Sequence, residues 1–166
     1  MKVIAFLLFI FLLVALQGTL LENISLKGIK PDLLFILSYG IGLYKGEMNG
    51  LFWGGFIGLM MDSSTGILLG PNLTSKATVG FLSGYFKRKV FRMTVTVSLI
   101  FLFILSILDG IMNFISINIF IGTTPFFKSF LSIILPQALY NTLFGVIIWA
   151  LFERFKIRDV REPARE

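Results

Sequence analysis

The sequence predicts an all-α, polytopic membrane protein: one domain of six transmembrane helices, with both termini in the cytoplasm. Three observations carry that reading. Of the 166 residues, 56% are hydrophobic and only 14% are charged, and mean hydropathy is +0.89. Soluble domains have about 45–50% apolar and about 25% charged residues, so this chain could not cover its surface with polar groups in water. Second, long apolar runs alternate with short polar connections; six spans of roughly 20 residues need about 120 residues, which leaves no room for a soluble domain. Third, lysines and arginines gather at one set of span edges, as cytoplasmic loops do.

The first span, 3–21, follows Lys2. It differs from a signal peptide in its long apolar core and in its polar exit, Gln17-Gly18-Thr19-Leu20-Leu21-Glu22-Asn23, which offers no small-x-small cleavage site. A polar loop leads to Pro31, which opens the second span, 31–44; proline suits a first helical turn, where its missing N–H is not needed. Lys45-Gly46-Glu47 makes a tight polar connection to the third span, 48–61. The polar stretch from Asp62 to Asn72 precedes the fourth span, 73–86, which ends at Lys87-Arg88-Lys89 with Arg92 beyond. The fifth, 93–115, is the clearest apolar run. The sixth, 126–152, follows Pro125 and gives way to a charged cytoplasmic tail, 153–166.

Spans two to four are short: about 14 residues of helix reach about 21 Å, against a hydrocarbon core of about 30 Å. Flanking residues can lengthen them, with Lys45 snorkelling to the interface. A re-entrant pair for spans two and three is the alternative, and it leaves the sidedness of everything downstream unchanged. With the N-terminus inside, eleven of the fifteen Lys and Arg fall on the cytoplasmic side; Lys27, Lys30, Lys76 and Lys128 fall outside. This topology also accounts for the net charge of +6 without a nucleic-acid partner.

With no cysteine and no histidine, the chain has no disulfide, no thiolate nucleophile and no imidazole base or ligand. It carries no nucleophile elbow, phosphate loop or zinc signature, so no catalytic, cofactor or metal residues are assigned. Two sequons, Asn23-Ile24-Ser25 and Asn72-Leu73-Thr74, matter only in a eukaryotic secretory setting.

Three constellations remain. Gly46, Gly50, Gly54 and Gly58 recur every fourth residue through span three. Small residues at that interval let helix backbones approach closely in lipid, and packing within the protein is favoured over docking of a partner helix. Next, Asp109 stands in an apolar helix with Asn113 one turn on. A charge within a span costs at least about 2.5–3.5 kcal/mol, so it turns toward the protein interior or water. Asp32, Asp62, Lys76 and Lys128 fall at similar depth. The expectation is a polar cluster opening to the outer face, with Asp62 or Asp109 paired to one of those lysines; Asp32 and Lys128 read better as markers of helix ends. Finally, Pro136-Gln137 interrupts span six with Asn141 a turn later, which reads as a kink whose amides either satisfy the freed backbone groups or hydrogen-bond across helices, with packing favoured over a functional role.

One ordered pattern resembles a known family. It runs Pro31-Asp32-Leu33-Leu34, then Gly46, Gly50, Gly54-Gly55-Phe56, Gly58-Leu59 and Asp62, then Gly66, Leu69-Gly70, Gly80 and Gly84-Tyr85. This order and spacing resemble MreD, the rod shape-determining membrane protein of bacteria, as do the length, the six-span layout and the short basic tail. Polar Asn72-Leu73-Thr74-Ser75-Lys76 departs from the apolar helix start expected there. The resemblance implies a non-enzymatic scaffold of the bacterial inner membrane. Such a scaffold works with MreC, the actin-like MreB, the RodA polymerase and its transpeptidase in the elongasome, which directs lateral peptidoglycan synthesis. It also implies a bundle similar to the substrate-binding subunits of energy-coupling-factor transporters, and it carries Pro31, Asp32, the glycine ridge and Asp62 over as structural or interface residues. A vitamin-type transporter subunit is the alternative. Span one argues against it, since Phe6 to Val14 offers bulky residues where an energising partner would be expected to need small ones.

Overall fold

The structure, a computed structural model, describes residues 2–19, 28–66, 68–89, 94–120, 122 and 124–159. Lys27, Arg92, the first sequon and the end of the tail, 160–166, lie outside the described residues. The protein is all-helical: α1 (Lys2–Thr19), α2 (Leu33–Lys45), α3 (Glu47–Thr65), α4 (Pro71–Lys89), α5 (Val95–Phe120), α6 (Phe126–Ser129), a π-helical turn (Phe130–Ile134) and α7 (Leu135–Asp159). The last three run on as one helix, since the junction residues Ser129, Phe130 and Leu135 keep helical dihedrals. Among the described residues, six helices therefore stand in the order of the six predicted spans. Two stretches, Val95–Phe120 and Phe126–Ile148, are long and apolar enough to cross a membrane; Ile4–Gln17 and Leu33–Lys45 are shorter apolar helices.

Several boundaries differ from the sequence expectation, each for a local reason. α2 starts at Leu33, not at Pro31, because Asp32 is its N-cap: the carboxylate accepts the Phe35 N–H at 2.9 Å. Pro31 is thus a fully buried residue ahead of the cap. In α4 the proline does take the first helical position, at Pro71, and the polar run from Asn72 to Lys76 lies within the helix. α3 continues four residues past its predicted end to Thr65, where Gly66 closes it in the left-handed region at φ 65°. Pro136 is accommodated by the widened turn just before it, in which the Leu135 N–H reaches the Phe130 carbonyl. α7 continues through the start of the predicted tail to Asp159.

α4 is the middle of the bundle. It packs against α3, α2 and α5, while α1 rests on α2 and α3 and α7 rests on α5. This explains how a helix so rich in Thr, Ser and Lys has a place among apolar ones: its Ser75, Lys76 and Ser83 face protein, and all three are buried. Glycines set the spacing. A Cβ on Gly50 would strike the Gly80 carbonyl, one on Gly54 the Lys76 carbonyl, and one on Gly58 the Asn72 carbonyl, all closer than real Cβ atoms come. Gly42 of α2 meets the same Gly80 carbonyl, so three backbones converge there. Around this contact Phe35, Tyr39, Val79, Leu102 and Leu105 form one apolar cluster, and Ile10, Leu34, Ile41 and Ile57 form another. The opposite faces of α5 and α7 leave Ile100, Ile104, Leu139, Leu143 and Val146 exposed.

A buried lysine shared by two aspartates

At the centre of the polar groups is Lys76, which has no solvent exposure; Asp32 is 3% and Asp109 7% exposed. The Lys76 ammonium lies 2.8 Å from Asp32 Oδ2 and 3.4 Å from Asp109 Oδ1, and donates to Asn72 Oδ1 at 3.1 Å. Each group comes from where its helix forces it. Lys76 projects from the second turn of α4, Asp109 from the middle of α5, and Asp32 from the N-cap of α2. Isolated in hydrocarbon, each charge is costly; the shared ammonium offsets part of that cost for both carboxylates.

The network continues outward from both carboxylates. Asp32 Oδ1 also accepts the Gln17 side-chain amide of α1 at 3.0 Å. The Asp32 backbone N–H donates to Asn141 Oδ1 of α7 at 2.7 Å, and the Asn141 amide donates to Ser106 Oγ of α5 at 2.7 Å. Asn113 of α5 donates to Ser75 Oγ of α4 at 2.9 Å and to the Asp109 carbonyl at 3.0 Å. Through Asn72 the network reaches α3, because the Asn72 amide donates to Asp62 Oδ1 at 2.9 Å. Every helix of the bundle contributes a group.

Asp62 has a separate task. It is 1% exposed, and its carboxylate accepts the backbone N–H groups of Gly70 (2.9 Å), Asn72 (3.1 Å) and Leu73 (3.0 Å). These are donors that the start of α4 cannot satisfy within the helix. The side chain of one helix thus caps the next, with its negative charge at the positive end of the α4 dipole.

A family profile, rod shape-determining protein MreD, matches residues 1–157. The chain belongs to the MreD family. Comparison with curated proteins and with solved structures finds no match. Membership makes the chain a bacterial membrane protein of rod-shape determination, in a family of shape-determining proteins rather than of enzymes.

Within this MreD chain the predicted site residues fall into three places. Asp109 is buried and lies 3.4 Å from the Lys76 ammonium. Among the described residues Asp62 pairs with no lysine, and its oxygens are committed to the start of α4. Asp32 is more than a helix-end marker: it makes the shorter contact to Lys76. The cluster is enclosed by the bundle instead of opening outward, while Lys128 is exposed and stands apart from it. Gly50, Gly54 and Gly58 face α4, so the ridge is occupied within the protein; Gly46 lies in the α2–α3 turn at φ 89°. Asn113 and Asn141 join the network, while Gln137 is half-buried and stands outside it.

Sequence reasoning missed Gln17, Asn72, Ser75 and Ser106. A signal existed for α5: Ser98, Ser106, Asp109 and Asn113 lie within one helical face at 100° per residue, which marks the stripe turned inward.

Proposed function

We propose that this chain is a non-enzymatic membrane scaffold of the cell-elongation machinery, which binds MreC and helps direct lateral peptidoglycan synthesis alongside MreB, RodA and its transpeptidase. The MreD match over residues 1–157 carries this reading. In the bacterial inner membrane the six helices span the bilayer with both termini cytoplasmic, so that Lys45 and the Lys87–Lys89 cluster lie on the cytoplasmic side. The polar network then sits toward the outer leaflet. Its groups hold the helices to one another, which suits a body that positions partners better than one that turns over a substrate.

The choice against a vitamin-type transporter subunit rests on the same network. A solute site needs polar groups left available to the solute, whereas Lys76, Asp32 and Asp62 are engaged by neighbouring helices. Partner contact falls to the exposed apolar faces, such as Ile100 and Ile104 on α5 and Leu139 and Leu143 on α7, since the glycine ridge is already filled.

The test is co-purification of MreC with the tagged chain in mild detergent, together with depletion in a rod-shaped host. Recovery of MreC and rounding of depleted cells support the scaffold. Absence of MreC from the complex, with loss of vitamin uptake on depletion, supports the transporter instead.

A further inference from the structure

A groove of about 530 Å³ runs along α2, between α1 on one side and α5 and α7 on the other. Its walls are apolar, with Leu13, Leu37, Gly40, Leu99 and Ile148 among them. Its buried hydroxyls are already used: the Tyr39 hydroxyl donates to the Ser98 carbonyl at 2.6 Å and lies 3.0 Å from Ser98 Oγ. The occupant must therefore be hydrocarbon along this length.

The two ends differ. At one end Asp32 ties α2 to α7 through Asn141 and to α1 through Gln17, which closes the groove. At the other end Tyr44 and Lys45 line its mouth. The Lys45 ammonium lies 5.2 Å from the Phe6 ring centroid, and the Lys87 ammonium lies 5.4 Å from that of Tyr44. Among the described residues neither lysine has a carboxylate partner. From Leu33 to Lys45 the helix rises about 18 Å, close to one leaflet of about 15 Å. A partner's spanning helix needs about 30 Å and a wall of small residues, and would run into the closed end. A lipid tail entering from one leaflet meets no such obstacle, and the cations at the mouth complement a phosphate.

We propose that this groove is a binding site for an anionic glycerophospholipid, one acyl chain lying along α2 and the phosphate held between Lys45 and Lys87. The inference rests on the membrane-spanning reading but not on MreC binding. The experiment is native mass spectrometry of the full chain, released from detergent after incubation with phosphatidylglycerol or phosphatidylcholine. Each lysine near an anionic headgroup contributes about fivefold, so the parent retains phosphatidylglycerol about thirtyfold better than phosphatidylcholine. The double variant Lys45→Gln/Lys87→Gln loses that preference and keeps residual binding of both lipids. Gly40→Leu lowers retention of both; Gly40 lines the groove and a Cβ there has nothing within 4 Å, so the added side chain grows into the groove.

Equal retention of the two lipids by the parent overturns the proposal, as does a preference that survives the double lysine variant. So does a folded Gly40→Leu protein that keeps its lipid, or one that keeps its lipid while losing MreC, which would make the groove a helix-docking site. Lipid retention by a parent that fails to recover MreC leaves this site standing and removes only the scaffold reading.

Discussion

Replacing Lys76 with methionine is the most severe test of the bundle's polar centre. The substitution keeps the length and much of the volume of the side chain and removes only the ammonium. Two carboxylates, Asp32 at 3% and Asp109 at 7% exposure, are then left buried without their shared cation. Removing one partner of a buried ion pair costs about 3–5 kcal/mol, because the remaining charge stays desolvated. For a chain of this size each kcal/mol moves the melting temperature by roughly 2–4 °C, so the loss is about 6–20 °C. The measurement is thermal unfolding of the detergent-solubilised protein, followed by tryptophan fluorescence and by gel filtration after heating. Charge is the stated cause, so a second variant isolates it. Lys76→Met combined with Asp32→Asn and Asp109→Asn removes all three charges, keeps oxygens for the Gln17 and Phe35 donors, and recovers most of the lost stability. A Lys76→Met protein melting within about 2 °C of the parent refutes the reasoning, since a charge pair truly enclosed by the bundle cannot be broken at so little cost. A triple variant no more stable than the single one refutes the electrostatic part and leaves shape as the cause.

Other substitutions separate the remaining devices. Asp109→Asn is mild, at most about 1 kcal/mol in thermal unfolding, because the 3.4 Å contact is the longer of the two and one aspartate still balances Lys76. Gly54→Leu prevents accumulation of folded protein in membranes, since its Cβ meets the Lys76 backbone, while the neighbouring Gly55→Ala is tolerated because its nearest contact is the Ala77 methyl at 3.6 Å; comparable membrane levels of the two variants would count against the close approach. Asp62→Ala strips the start of α4 of its acceptor and lowers stability by about 2–3 kcal/mol, with backbone N–H groups near Gly70 to Leu73 exchanging faster with deuterium. Arg88→Ala breaks a 2.7 Å pair with Glu47, but Arg88 is 61% exposed, so the melting temperature falls by the equivalent of less than about 1 kcal/mol.

How far the sequence could be read depended on whether a residue's meaning was local. Helix count and order were legible because apolar runs and polar breaks are local signals. Asp109 was legible because a lone acid in an apolar helix has few places to go. The glycine interval in α3 was legible too, but its counterpart was not: Gly80 and Gly42 acquire their role only once α2, α3 and α4 converge on one carbonyl. Asp32 and Asp62 look alike in sequence, each an acid beside a helix end. One ends an interhelical ion pair and the other caps a foreign helix, and only the packing of α4 between them tells these apart. The polar start of α4 looked anomalous because hydropathy assumes that a span faces lipid. A helix walled in by its neighbours faces protein, so Ser75, Lys76 and Ser83 obey a different rule.

That rule explains why the glycines and the charges belong to one arrangement. In lipid, apolar surface gives helices little reason to associate; close backbone contact and interhelical hydrogen bonds supply it. Backbone contact alone is indifferent to sliding by one turn along a four-residue repeat, because Gly50, Gly54 and Gly58 present similar surfaces. The polar groups remove that degeneracy. A shift of α4 by one turn moves Lys76 about 6 Å along the axis, which separates it from both aspartates and takes the start of the helix away from Asp62. The ridge therefore sets how near the helices lie, and the network sets their register, as buried polar groups do in coiled coils. The consequence is measurable. A cysteine at Gly55 of α3, tested in turn against cysteines at Leu73, Ala77 and Phe81 of α4, should give one dominant product in the parent, with Ala77, whose methyl lies 3.6 Å from a Cβ built at Gly55, and a spread to the neighbouring turns in the Lys76→Met/Asp62→Ala double variant. A single unchanged product in that variant would assign register to side-chain packing instead.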